Sequence, residues 1–444
     1  MSSPARAHAA SARRTLWIVI ASVAAAALGI AGALAFVDSR PDAVGTDSPT
    51  SPTASATPGG AAAPGVVEFP AAARPIKPVP TVTFSLVAAG DVLPHQPVLD
   101  SAKVGGGGYN FVPLMQPTQP FVDAGDIALC HMEVPVAPDG TKPTGYPQFG
   151  APSKLVTDLA ALGWDGCSTA SNHTVDRGFP GIEASLNAFQ AAALGHAGSA
   201  RSEHEATQTQ FYNVVESERT VKVAHISYAY GLNGLPVPSG KPWSVNVFDA
   251  SGVDVTPILN AAQAARDAGA DIVVGSVHCC VEYTTQPTST QTAIAQKIAD
   301  SGLVDLYIGH HAHVPQPIAR LAGGPDGDGM WVAYGLGNFI SNQAQETVGV
   351  AETSSGELLT ATFTVSPDDR VAVDVGWTAV TVDRTGGHVV YPISENSGAV
   401  GKLSASTVKA RWQLVANAVG SSAPEITTPG APSADFVWSN TRTP

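Results

Sequence analysis

The chain has 444 residues, of which 44% are hydrophobic, and a formal net charge of −14 at pH 7. Such acidity argues against a nucleic-acid-binding protein, which normally presents a basic surface, and against holding an anionic polymer by charge alone. An acidic partner therefore has to be met by a metal or by local Lys and Arg, while the length supports a large domain with a substantial core.

Residues 1–15 are a short basic segment containing Arg6, Arg13 and Arg14, followed by an unbroken apolar run, Leu16 to Val37. Its 22 residues suffice to cross about 30 Å of hydrocarbon at helical rise. With the basic flank on the amino-terminal side, the positive-inside rule puts Asp38 onward outside the cytoplasm. The expectation is a single-pass anchor in the cell membrane with an extracytoplasmic carboxy-terminal domain. The alternative is a cleaved signal peptide and a secreted protein, with Ala33-Leu34-Ala35 as the cleavage site. The anchor is favoured because the apolar core of a signal peptide runs only about 7–15 residues. Residues 38–80 are rich in Pro, Ser, Thr, Ala and Gly without apolar periodicity, and read as a solvated tether.

The folded domain is expected over residues 81–420. Apolar strands begin at Val82, Ile127, Gly166, Asp271, Asp305 and Met330, and amphipathic helices are expected over Lys154 to Leu162, Pro180 to Leu194, Val255 to Ala268 and Thr290 to Ser301. This alternation predicts βαβ units and a largely parallel or mixed sheet, in which the carboxyl ends of the strands converge on one rim. Leu358 to Val365 and Val371 to Val382 alternate in polarity and predict antiparallel strands completing the second sheet of a sandwich. Residues 421–444, rich in Pro, Ser and Thr, are expected to be loose.

The strand ends carry the chemistry. The run from Asp305 leads into His310, His311 and His313; the others deliver Asp91, His131 with Glu133, Asn172 with His173 and Asp176, His278 with Glu282, and Asn338. A single histidine after a strand is ordinarily a loop or packing residue. Three within four positions, and the same pattern on other strands, point instead to metal ligation. Oxygen donors mixed with imidazoles suit one or two divalent ions of Mn, Fe or Zn better than Ca or a thiolate-rich structural zinc.

Six segments follow in order: Gly90-Asp91-Val92, the Glu133 segment, Ala170 to Gly178, Ser276-Val277-His278 with Glu282-Tyr283, Gly309 to Val314, and Tyr334 to Phe339. Over about Val82 to Asn342 they resemble the poly-gamma-glutamate capsule synthesis (CapA) family, whose domain resembles the calcineurin-like metallophosphoesterases. The resemblance implies a four-layer α/β/β/α sandwich with a metal centre at the sheet rim. It implies Asp91, Glu133, Asn172, His278, His311 and His313 as metal ligands, with His310 an alternative register for the closing His-x-His pair. His95, His131, Glu282 and Asn338 are additional candidates. The first motif departs from the family's Asp-x-His: Leu93 stands two residues after Asp91, and His95 two further on. His131-Met132-Glu133 stands where Asn-Leu-Glu is common, and Cys279-Cys280 where Trp-Gly is.

His173 is the expected acid, with Asp176 fixing its tautomer. The resemblance implies metal-assisted hydrolysis or transfer on a capsule polymer such as poly-gamma-glutamate, or on a smaller anionic substrate, alongside other capsule-synthesis membrane proteins. A non-catalytic polymer-handling scaffold and a general metallophosphoesterase are the alternatives. His196 is expected in a helix-to-strand loop that tolerates substitution. Cys130, Cys167, Cys279 and Cys280 all lie near the expected cleft, so thiolate ligation and several disulfide pairings stay open.

Overall fold

Strand β1 (Val82–Val92) is buried along nearly its whole length and sends alternate residues into two cores. Phe84, Leu86 and Ala88 face one core, while Val87 and Ala89 face another, the pattern of a strand covered on both sides. The structure, a computed structural model, describes residues 78–216 and 218–431. The expected anchor at 16–37 and nearly all of the tether at 38–80 lie outside the described residues. Among the described residues no helix is long and apolar enough to cross a membrane.

The remaining strands are β2 (Ile127–Met132), β3 (Gly166–Ser168), β4 (Gly195–Ala197), β5 (Gln210–Glu216), β6 (Arg219–Ala229), β7 (Ile272–His278) and β8 (Leu306–His310). They continue with β9 (Ile318–Leu321), β10 (Met330–Ala333), β11 (Asn338–Ile340), β12 (Ser355–Val365), β13 (Val371–Asp383) and β14 (Val389–Ile393). Two mixed sheets result. The first has eight strands in the order β14-β13-β12-β1-β2-β3-β4, with β11 also paired to β1; the second has six, ordered β5-β6-β7-β8-β10-β9. β1 to β4 run parallel, as do β6, β7 and β8.

The antiparallel strands β12 to β14 extend the first sheet from the free edge of β1 rather than completing the second, which corrects the sequence expectation. Alternation in polarity specifies a strand and its faces, not which open edge it joins. Residues 423–426 are likewise not loose. Trp377 N–H donates to the Pro424 carbonyl at 3.1 Å, Ile426 N–H to that of Trp377 at 2.7 Å, and the Trp412 indole to Glu425 at 2.8 Å.

The sheets face each other across one apolar core, where Phe84 and Leu86 of the first meet Val223, Val274 and Ile308 of the second. On the outer face of the first sheet, Val87 and Ala89 share a core with Leu155 and Leu159 of helix Lys154–Ala161 and Phe189 of helix Gly178–Ala191. On the outer face of the second, Val273 and Val277 share one with Ile258 of helix Thr256–Asp267 and Ile294 of helix Ser289–Asp300. A capping box between Thr288 and Gln291 starts the last of these helices. Helix Ala405–Val419 puts Val408 and Val415 into the inter-sheet core.

Candidate metal centre and adjoining cavity

Parallel pairing sets the site. In the first sheet Asp91 of β1 is level with His131 of β2, and in the second His278 of β7 is level with His310 of β8. Gly90 lets β1 approach β11, since a Cβ there would lie 2.0 Å from the Gly337 carbonyl oxygen. Beyond β8 the chain turns sharply: His311 and His313 take left-handed conformations, φ 88° and 57°. Such backbone is sparsely populated for residues with a side chain and concentrates at functional sites.

Seven buried side chains thereby meet between the two sheets. Asp91, His131 and His310 form one group, Glu133, His278 and His311 a second, and Asp91, Glu133 and His313 a third that joins them. Within each group one ligand atom per residue lies within 4.8 Å of the others. His313 Nδ1 is 2.9 Å from Asp91 Oδ2, and His313 Nε2 is 3.7 Å from Glu133 Oε1. Both oxygens of Glu133 and Nδ1 of His311 are buried without a hydrogen-bond partner, and Asp91 has only imidazoles beside it, His313 at 2.9 Å and His310 Nδ1 at 3.6 Å from its oxygens. Uncompensated carboxylates inside a protein are costly, so this donor set fits a divalent cation.

Titration divides the cluster's groups. Burial pushes the Glu133 carboxyl well up. Burial works against ionisation of Asp91 as well, but the His310 and His313 imidazoles beside it outweigh burial and hold that carboxyl well below the usual range. Burial, reinforced by neighbouring imidazoles, holds His131 and His278 well below the ordinary histidine range and lowers His311 to about 3. These rings are therefore neutral, the form that ligates metal. His313 behaves differently: burial opposes its charge, yet attraction from Glu133 and Asp91 outweighs that and raises it to about 9.

Asn172 and His173 follow β3. Asn172 Oδ1 lies 3.0 Å from His278 Nε2, so this side chain touches the cluster. His173 Nδ1 is 2.7 Å from Asp176 Oδ2, which also accepts from the Phe149 N–H at 2.8 Å. Asn233 was not singled out in the sequence. It stands in the loop after β6 with φ 52°; its Oδ1 accepts from Asn172 Nδ2 at 3.1 Å, and its Nδ2 lies 3.4 Å from His173 Nδ1. Only the local Leu-Asn-Gly-Leu sequence, typical of a left-handed turn, hints at it. Asn172, His173, Asp176, Glu282 and His313 form one side of a cavity of about 750 Å³, a size suited to a ligand site.

The expected site residues fall into place unevenly. His310 is no substitute for His311 or His313, because all three join the cluster, and His131 is a member of it as well. Asn338 supports the cluster through its Oδ1, 3.1 Å from His313 Nδ1. Glu282 reaches it from the cavity side, 3.9 Å from His313 Nε2. His95 lies on the cavity wall, its Nδ1 3.1 Å from the Leu93 carbonyl, outside the candidate metal groups. His196 is in β4, not a loop, and is buried with Nε2 3.5 Å from Glu205. The four cysteines form the disulfides Cys130–Cys167 and Cys279–Cys280, so no thiolate is available as a ligand.

The capsule biosynthesis protein CapA of Bacillus anthracis is 25% identical over 61% of this chain and 63% of its own length. The PGA biosynthesis protein CapA of Bacillus subtilis is 27% identical over 52% and 57%. A probable polyglutamine synthesis accessory protein of Mycobacterium tuberculosis is 27% identical over 55% and 62%. The match thus spans about three fifths of each of these relatives. Among solved structures, the calcineurin-like phosphoesterase YfkN from Bacillus subtilis is similar over 75% of this chain and 98% of its own, with a TM-score of 0.38 and 13% identity. The model of the family described as bacterial capsule synthesis protein PGA_cap matches residues 85–343, and the chain belongs to that family.

Proposed function

We propose that this protein acts in the synthesis or export of a capsule-type polymer by metal-assisted hydrolysis or transfer. The observation that carries the proposal is the buried pair of carboxylates, Asp91 and the partnerless Glu133, gathered among five imidazoles beside a ligand-sized cavity. Asp91, His131 and His310 would hold one ion, and Glu133, His278 and His311, with Asn172 beside them, a second; His313 lies between. An ion of the Mn, Fe or Zn class supplies Lewis-acid polarisation of an ester or amide oxygen and of water.

The remaining steps fall to the chain's own residues. With Nδ1 held by Asp176, His173 presents Nε2 to the cavity as the proton carrier for the leaving atom. Asn233 orients Asn172 through its Oδ1, and its Nδ2 stands against the His173 ring, 3.5 Å from Nε2. The names of the relatives point to a gamma-glutamyl polymer, and the two-sheet core with helices outside each sheet has the layering of the metallophosphoesterase type. Leu93, buried on the cavity wall where the family resemblance implies a histidine, favours a second reading, a polymer-handling subunit with a structural metal.

The sequence of residues 1–37 supports an anchored domain outside the cytoplasm, working with other membrane proteins of the same pathway. Metal analysis of the purified chain together with assays on phosphoester and gamma-glutamyl substrates tests the proposal. Bound metal with turnover supports catalysis; a full metal complement without turnover supports the subunit reading. Protease treatment of intact cells tests the topology, and protection of the segment after Asp38 until lysis would overturn it.

A further inference from the structure

Cations held by Asp91, Glu133 and the histidines around them would attract the carboxylates of a gamma-glutamyl chain and the oxygens of a phosphoester alike, so charge does not tell these substrates apart. Discrimination falls to neutral groups on the cavity wall, because a site that hydrogen-bonds an N–H or O–H of its substrate rejects the analogue lacking it.

Most of those groups are already engaged inside the protein. Asn172 is held by His278 and Asn233, Asn342 by His388 and Arg384, and Gln343 by Asn338 and Tyr283. His173 has Asp176 on Nδ1 and Asn233 3.5 Å from Nε2.

His95 differs. It lines the cavity just past β1 and starts helix Gln96–Ala102, where its carbonyl accepts from the N–H groups of Val98 at 2.9 Å and Leu99 at 3.0 Å. The ring is as fixed as the backbone. It stands edge-on to Phe149 with centroids 5.2 Å apart, and Phe149 meets His173 edge-on as well, at 4.8 Å, so one aromatic ring spaces the two histidines along the wall. Nδ1 lies 3.1 Å from the Leu93 carbonyl, and 3.4 Å from both Ser341 Oγ and Asn342 N. The shortest of these contacts is to a group that only accepts, so Nδ1 carries the hydrogen and Nε2 the lone pair. Burial lowers the ring to about 4 and keeps it neutral. Among the described residues Nε2 has no hydrogen-bond partner. The wall thus carries a fixed, neutral acceptor that the protein itself does not use.

We infer that His95 is a specificity-determining residue of this site: its Nε2 accepts a hydrogen bond from an amide N–H of the bound polymer, so that the cavity selects amide-linked chains over ester-linked chains of the same charge. The inference rests on the polymer reading given above and narrows its linkage from ester or amide to amide.

Two ligands test it, tetra-gamma-glutamate and the analogue in which an ester oxygen replaces every amide N–H while every carboxylate is kept. Each is titrated calorimetrically into the metal-loaded full chain carrying His173→Gln, which suppresses turnover so that binding is read alone. The amide should bind about tenfold more tightly than the ester, the worth of one such hydrogen bond. Adding His95→Phe, which keeps a ring against Phe149, should bring the amide down to the affinity of the ester. Adding His95→Gln instead, which returns a carbonyl acceptor, should keep at least a threefold preference. The readout is the ratio of the two affinities, so a change in stability or metal content that weakens both ligands alike does not imitate it. The inference is overturned if the two ligands bind the His173→Gln chain equally, if neither binds, if His95→Phe keeps the preference, or if His95→Gln discriminates no better than His95→Phe. A protein that shows the preference and loses it with His95→Phe, but whose wild type hydrolyses nothing, keeps the His95 assignment and sinks the catalytic reading alone.

Discussion

His131 Nε2 on the first sheet lies 3.0 Å from His278 Nδ1 on the second, and this pair links the two halves of the candidate metal centre. The far nitrogen of each ring is held as well, His131 Nδ1 at 2.7 Å from Ser168 Oγ and His278 Nε2 at 3.0 Å from Asn172 Oδ1. The two stacked sheets are thus tied at their rim by hydrogen bonds between these side chains. Under the proposed metal-bound reading the same residues would shift to hold a cation, and metal affinity would be coupled to the docking of the sheets.

From this follows the first prediction. His131→Ala and His278→Ala should each lower bound metal and melting temperature together, because binding to the native state alone adds to its stability, by about 4 kcal/mol at a thousandfold excess over Kd. Chelation of the wild type should reproduce the shift. His204, exposed on a short helix, is the control, since His196 is buried against Glu205. Metal analysis with thermal melts checks this, and a loss from His204→Ala equal to the others would reduce the cluster to ordinary packing.

The Cys130–Cys167 disulfide joins neighbouring residues of β2 and β3 across 37 positions of sequence, just below His131 and Ser168. Replacing both cysteines by serine should cost about 2–4 kcal/mol, the usual range for such a bridge. Denaturant titration reads this directly. The variant should keep its metal, because the carboxyl ends of β2 and β3 are also held by their ladder.

Glu357 is buried in β12 with neither carboxylate oxygen hydrogen-bonded, and burial pushes its carboxyl well above the ordinary range. The native state therefore keeps a proton that the unfolded chain releases near its ordinary pKa of about 4.3. Stability is highest below that value and falls as pH rises toward the folded-state value, by up to about 1.4 kcal/mol per pH unit. Glu357→Gln should thus stabilise the protein at pH 8 and leave it nearly unchanged at pH 4. Melts of both forms across this range check the sign, and a variant less stable than the wild type at pH 8 would mean that the carboxylate has an ionic partner.

Much of the site was legible because its residues sit at the carboxyl ends of apolar strands, where the switch from apolar run to His, Asp or Asn is visible without a structure. Asp91, His278 and His313 were found in that way. What escaped depends on contacts across the molecule. Asn233 belongs to the second half of the chain and reaches Asn172 from a left-handed turn. His131 stands among the additional candidates because the family resemblance assigns the second motif's ligand to Glu133, and pairing of β2 with β1 is what puts it level with Asp91. The sheet joined by β12 to β14, the docking of residues 423–426 and the choice among disulfide partners rest on which edges and faces meet, and local periodicity does not encode that.

The last prediction concerns His173 and Asn233. If His173 carries a proton, His173→Gln should leave folding and most metal in place while the rate falls by roughly 10²–10⁴-fold. Asn233 acts through other residues: it meets Asn172 at 3.1 Å and approaches His173, so it positions both. Its φ of 52° makes Asn233→Gly the informative substitution, because glycine keeps the left-handed turn at little steric cost while deleting the amide. That variant should lose about tenfold in kcat, far less than His173→Gln, and keep its melting temperature within about 1 kcal/mol of stability. Full activity in His173→Gln would remove the histidine from the mechanism, and an Asn233→Gly enzyme with wild-type kcat would reduce the Asn233 contact to packing.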